Sequence, residues 1–176
     1  MYYAIMYGAG APKVASTLKI PEKYGKVALD SFWEANPGTK QLKDALEKYW
    51  DSTGKKKFLP AIDGRILLTR KKSALLNTIF QSCGGITMDY AGLFMDKWLG
   101  KMQWDDKRRP YYNYKGHVVR RIGYFHDELE YECGAEIAQE VSELIEKAIK
   151  KAGEFLKLKV PLAGEGKIGI SWKEVH

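Results

Sequence analysis

Apolar residues recur at two spacings along the chain, and the spacing changes where glycine and proline interrupt it. Residues 1–58 read as short helices. Gly8-Ala9-Gly10-Ala11-Pro12 closes the first helical stretch, and Pro21 and Asn36-Pro37-Gly38 are further breaks. Beyond them Leu42, Ala45, Leu46, Tyr49 and Trp50 fall at helical spacing. Residues 58–70 predict a hairpin around a two-residue turn at Asp63-Gly64. Residues 73–99 predict a helix of roughly 40 Å at about 1.5 Å per residue, interrupted at Gly84-Gly85. Residues 100–117 read as a polar, aromatic loop. A second hairpin follows: 118–125 is β-prone, and Leu129, Tyr131 and Cys133 alternate with Glu128, Glu130 and Glu132 around a turn at His126-Asp127. Ile137, Val141, Leu144, Ile145, Ala148 and Ile149 mark an amphipathic helix over 135–156. A short strand at 158–162 and a tail from 164 complete the pattern. The class is α+β, with antiparallel hairpins and helices. Two hairpins and a tail strand leave sheet edges to cover, which hints at a missing part.

Composition narrows this only a little. The 176 residues suit one or two small domains, and an apolar content of 45% is enough for a core. No apolar run reaches the roughly 18–20 residues of a membrane span, and the first residues lack a signal-peptide pattern. Cys83 and Cys133 show no metal-ligand spacing, which fits a reduced, intracellular setting. The net charge of +7 points to an anionic partner, nucleic acid first, or to a merely solvated basic surface. Basic residues cluster at 55–57, 70–72, 107–109 and 120–121, the last two clusters near Trp104, Tyr111, Tyr112 and Tyr114.

Three small constellations carry candidate chemistry. His126-Asp127-Glu128 places a carboxylate at a tight turn, where it can reach a hard cation such as Mg²⁺; an Asp at a turn is also ordinary turn chemistry. Asn77 and Gln81, four apart, share a helical face. Their amides can probe the minor groove, where every base pair presents N3 and O2 acceptors, or they are simply helix-surface amides. Tyr3 and Tyr7 can form an aromatic face for a stacked base, or pack as ordinary helix residues.

The order of these constellations resembles that of the family-A, Pol I-like DNA polymerases. Tyr3-Ala4-Ile5-Met6-Tyr7-Gly8-Ala9-Gly10 resembles the second half of that family's fingers helix. Asp63-Gly64-Arg65, Arg70, Ala74-Leu75-Leu76-Asn77-Thr78 and Gln81-Ser82 resemble its hairpin and minor-groove-tracking helix. His126-Asp127-Glu128 resembles its metal-binding palm turn, and Gly166-Lys167-Ile168-Gly169 through Trp172 to His176 looks like the tail of its phage replicative branch. The resemblance implies a partial fingers subdomain over 1–58 and the C-terminal part of the palm over 59–176, with antiparallel hairpins packed on long helices. It implies that Asp127 ligates the two catalytic Mg²⁺ ions with Glu128 nearby, and that His126 sits near the primer terminus. Tyr3 would pack against the incoming dNTP and Tyr7 would stack at the templating position. Asn77 and Gln81 would contact the primer-template minor groove. Arg65, Arg70 and His176 are the further expected DNA contacts. Tyr rather than Phe at position 3 implies weak discrimination against dideoxynucleotides. The implied setting is the cytoplasm of a bacterial host, with no membrane partner.

The pattern is incomplete. The family's triphosphate-gripping Arg and Lys, its first palm aspartate and its thumb are not found in this sequence. Asp127 alone cannot clamp two metals. The expectation is a split polymerase, in which an N-terminal polymerase subunit supplies the missing aspartate and the thumb. A narrower expectation is that the Met1 α-amino group stands near the missing lysine's place. The rival reading is a catalytically inactive remnant that binds duplex DNA.

Overall fold

The computed structural model describes residues 1–54 and 58–175, so His176 and the lysines at 55–57 lie outside the described residues. The chain divides into two compact units, Met1–Cys83 and Gly84–His176. In the first unit α1 (Tyr2–Met6), α2 (Ala11–Leu18), α3 (Gly25–Ala35) and α4 (Pro37–Ser52) follow one another, broken where the glycines and prolines predict. Proline opens both α2 and α4 within the first helical turn, where its missing N–H costs nothing. Ile5, Met6, Val14, Phe32 and Leu76 form one small core; Trp50, Leu59 and Leu75 form another. Gly25 allows α3 to cross α2, because a Cβ there would stand 2.2 Å from the Ala11 carbonyl oxygen.

The first hairpin pairs β1 (Phe58–Pro60) with β2 (Ile66–Leu68). Its turn is wider than the two residues expected. The Ala61 amide donates to the Arg65 carbonyl at 2.8 Å, and Gly64 takes the left-handed φ of 86°. Asp63 stabilises this wider turn by accepting from the Arg65 amide and side chain.

Helix α5 (Leu75–Leu99) is continuous, correcting the expected interruption at Gly84-Gly85. Glycine lowers helix propensity by about 1 kcal/mol, but apolar side chains on either side are buried, Leu75 and Leu76 before it and Ile86 and Met88 after it. Tertiary burial outweighs the local penalty.

Residues 100–117 are not a loop. They hold β3 (Met102–Trp104) and β4 (Pro110–Tyr114), which join β5 (His117–Phe125) and β6 (Glu128–Cys133) in an antiparallel sheet ordered β3-β4-β5-β6. The polar residues that suggested a loop make the turns: Asp105 accepts from the amides of Lys107 and Arg109, and Lys115-Gly116 adopts positive φ. The aromatic residues between them are good strand formers.

One face of this sheet is buried. Tyr112 and Val119 pack with Met95 and Leu99 of α5 and with Val141 and Ala148 of α6 (Ala138–Phe155). The Tyr112 hydroxyl donates to Asp96 at 2.6 Å, and burial together with that carboxylate raises its pKa. The expected strand at 158–162 does not form. A Schellman closure ends α6 instead: the Leu158 amide bonds the Gly153 carbonyl, the Lys157 amide bonds that of Glu154, and Lys157 takes a φ of 55°. The chain turns back there, and a short helix, α7 (Trp172–Val175), follows the tail. Among the described residues no helix is long and apolar enough to cross a membrane.

Met95 is fully buried in the core of the second unit. Met95→Ala is expected to cost about 2–5 kcal/mol of stability, read as a lower urea midpoint with an unchanged slope.

Candidate active site

The sequence-predicted residues fall into two groups, one in each unit. In the first unit, burial of Ile5 and Met6 fixes the rotation of α1 and leaves Tyr3 and Tyr7 exposed on its outer side. Gly8 ends the helix at a φ of 82°, and a Cβ there would stand 2.5 Å from the Ser73 carbonyl oxygen. That close approach seats α1 against the start of α5. It brings together residues separated by 74 positions: the Gln81 amide donates to the Tyr7 hydroxyl at 2.7 Å.

The result is a cavity of about 220 Å³, walled by Tyr2, Tyr3 and Tyr7 on one side and by Asn77, Phe80 and Gln81 on the other. Tyr3 is 79% exposed, which suits a stacking surface better than a packing one. Asn77 is half-buried and Gln81 exposed. The lining therefore combines aromatic faces with two amides, each able to donate and accept. Tyr2 and Phe80 are wall residues that the motif reading passed over. Phe80 follows Asn77 by three positions, a helical-face spacing that marks it.

Arg65 is engaged within its own turn, its Nε donating to Asp63 at 2.8 Å. Burial pushes the Asp63 carboxyl up, but the Arg65 amide and guanidinium outweigh it and hold the group below the usual carboxylate range. Arg70 is exposed just after β2. His176 lies outside the described residues.

In the second unit, β5 and β6 close on the pair Phe125–Glu128, so His126 and Asp127 alone make the turn. Its geometry depends on an irregularity earlier in β5. Arg121 pairs with Tyr131 but Gly123 pairs with Glu130, so Ile122 is an extra residue. Side chains alternate between sheet faces. Beyond the bulge Tyr124 therefore shares the face of its partner Leu129, and Phe125 turns to the other. Tyr124 donates to the Gly85 carbonyl at 3.0 Å. His126 takes a left-handed φ of 56°, a region where histidine is enriched among non-glycine residues. Asp127 and Glu128 are exposed at the tip.

A carboxylate held this way is a hard oxygen donor of the kind Mg²⁺ takes. Among the described residues, however, no three His, Cys, Asp or Glu side chains converge to hold a metal. Asp127 can supply one ligand to such a centre; the described residues do not complete it.

The family model for DNA polymerase family A matches residues 1–174. A DNA-directed DNA polymerase of Escherichia phage Phieco32 is 30% identical over 99% of this chain and 27% of its own length. That of Enterobacteria phage T3 is 27% identical over 99% of this chain and 25% of its own. DNA polymerase I of Aquifex aeolicus is 27% identical over 97% of this chain and 28% of its own. The chain thus spans about a quarter of the length of these relatives. Among solved structures, the POL domain of Pol1 from M. smegmatis, in complex with DNA primer-template and dNTP, shares the fold. Its TM-score is 0.68 at 18% identity, over 86% of this chain and 26% of that one.

Gly8→Ala is expected to destabilise the first unit by on the order of 1–3 kcal/mol, because it adds both left-handed strain and a clash with Ser73. Urea denaturation checks the loss. Widened hydrogen exchange at the α1–α2 junction identifies its place.

Proposed function

This chain belongs to DNA polymerase family A, and on that premise we propose that it contributes the nucleotide-stacking and primer-contacting surfaces, and one metal-binding aspartate, of a template-directed DNA polymerase. The observation that carries this reading is the shared cavity of Tyr3, Tyr7, Asn77 and Gln81. Tyr3 packs against the incoming dNTP, and Tyr7 stacks where the templating base pairs. Asn77 and Gln81 reach minor-groove acceptors common to all correct base pairs, so they test pair shape without reading sequence. Residues 1–58 belong to the fingers and 59–176 to the palm.

Asp127 is the chain's magnesium ligand, with Glu128 beside it and His126 near the primer terminus. Bound as a pair, magnesium ions would activate the primer 3′-hydroxyl and stabilise the leaving pyrophosphate. Asp127 supplies one donor to such a pair. The second aspartate, the thumb and the remaining triphosphate contacts come from polymerase residues outside these 176, whether on the same polypeptide or on an N-terminal polymerase subunit. Arg65 and Arg70 add phosphate contacts, His176 is a further DNA contact, and the net charge of +7 favours the primer-template electrostatically.

The rival reading is a DNA-binding remnant without catalysis, since an incomplete donor set would suit it too. Primer extension in Mg²⁺ by the complex isolated through this chain decides. Asp127→Asn is expected to reduce extension to background and to leave duplex binding intact. A complex inactive with either residue, yet still binding DNA, favours the remnant. The size of the isolated polypeptides separates a two-subunit enzyme from a continuous one. Gln81→Ala is expected to weaken primer-template binding roughly fivefold, the scale of one neutral hydrogen bond, in a filter-binding titration at fixed salt.

A further inference from the structure

Residues 157–171 form neither helix nor strand, yet their course is fixed by close approaches. A Cβ on Gly153 of α6 would stand 3.0 Å from the Leu162 side chain. One on Gly164 would stand 2.6 Å from Ile149 Cδ1, and one on Gly166 would collide with Ser142 Oγ. The Gly166 amide donates to Glu146 Oε1 at 2.9 Å. As the tail advances from 162 to 166, its partners step back from 153 to 142. The tail therefore retraces α6 antiparallel, and the glycines leave room for the side chains that pack between them.

Beyond it the Ile170 amide donates to Glu174 Oε2 at 2.9 Å, tying the tail to α7. Trp172 then meets Phe125 edge to face, with ring centroids 5.3 Å apart and planes at 76°. Phe125 closes the Asp127 turn with Glu128. Its ring lies back over Gly123, where a Cβ would stand 2.5 Å from Phe125 Cε2. Phe125 is thus held from its own strand by the space at Gly123 and from the tail by Trp172. The turn it closes contains a left-handed histidine, a conformation that its surroundings help to hold.

We propose that the tail is a strap that positions the His126-Asp127 turn, with Trp172 as a positioning residue acting through Phe125. The proposal rests on the reading of Asp127 as a metal ligand. Misplacing such a group by about 1 Å can cost on the order of a hundredfold in rate.

The test uses the full chain in its isolated complex, with Trp172→Ala, Trp172→Phe and Asp127→Asn compared with wild type. Hydrogen exchange across 124–129 is expected to quicken roughly three- to tenfold in Trp172→Ala, the scale of one edge-to-face pair, and to return towards wild type in Trp172→Phe. The Mg²⁺ concentration for half-maximal extension is expected to rise in Trp172→Ala, with primer-template affinity unchanged. Wild-type exchange at the turn and a wild-type Mg²⁺ response in Trp172→Ala would overturn the strap. If Trp172→Ala does not fold, Phe125→Val, which changes no tail residue, is read in the same way. Inactive Asp127→Asn alongside a neutral Trp172→Ala sinks the strap alone. Extension that survives Asp127→Asn sinks the metal-ligand reading, while the exchange data still decide whether the tail holds the turn.

Discussion

The ladder between β5 and β6 is the interaction on which the second unit depends. It places Leu129 and Tyr131 against the core formed with α5 and α6, and it ends in a turn of two residues. The extra residue at Ile122 sets the phase of everything after it. In an unbroken ladder a one-residue shift exchanges the two faces of a strand. Here the shift is confined to one point. Val119 points into the core before the bulge, and Phe125 points away from the Leu129 face after it. Had the ladder run without the bulge, Tyr124 and Phe125 would exchange faces. Tyr124 would lose Gly85, and Phe125 would leave the ring of Trp172.

The first unit solves a different problem. A five-residue helix is too short to be stable by itself. Its Ile5 and Met6 anchor it in a core with Val14, Phe32 and Leu76. Exposed Tyr3 and Tyr7 then become a consequence of which side is buried. Gly8 allows the chain to leave α1 tightly enough for Tyr7 to reach Gln81. Both candidate surfaces follow one logic: exposed functional side chains sit on elements whose opposite faces are packed.

Charge has a smaller part in holding the fold. Lys43–Glu47 is a half-buried surface pair and Lys72–Asp51 an exposed one, and water and salt screen both. The more consequential polar contacts are local. Asp105 shapes the β3–β4 turn and also lies 3.3 Å from Arg120, whose guanidinium covers the Tyr111 ring. The Arg109 amide holds the Asp105 carboxyl below its usual range, with the side chains of Arg109 and Arg120 adding to it. The net charge of +7 is therefore better understood as a property of the surface than as a source of stability.

Local sequence was enough to read the class, the helix breaks at Gly8–Pro12 and Asn36–Gly38, the His126-Asp127 turn and the resemblance to the family. These are local signals, written in glycine, proline and period-two alternation. Tertiary structure decided the rest. Gly84-Gly85 remain helical because burial on either side outweighs propensity. Residues 102–104 and 110–114 pair as strands because β5 receives β4 and β4 in turn receives β3. Residues 158–162, whose pattern suited a strand, turn back along α6 instead. The meeting of Tyr7 with Gln81, and of Phe125 with Trp172, joins residues far apart in the chain. No local spacing encodes such contacts, since they depend on where packed elements place their exposed faces.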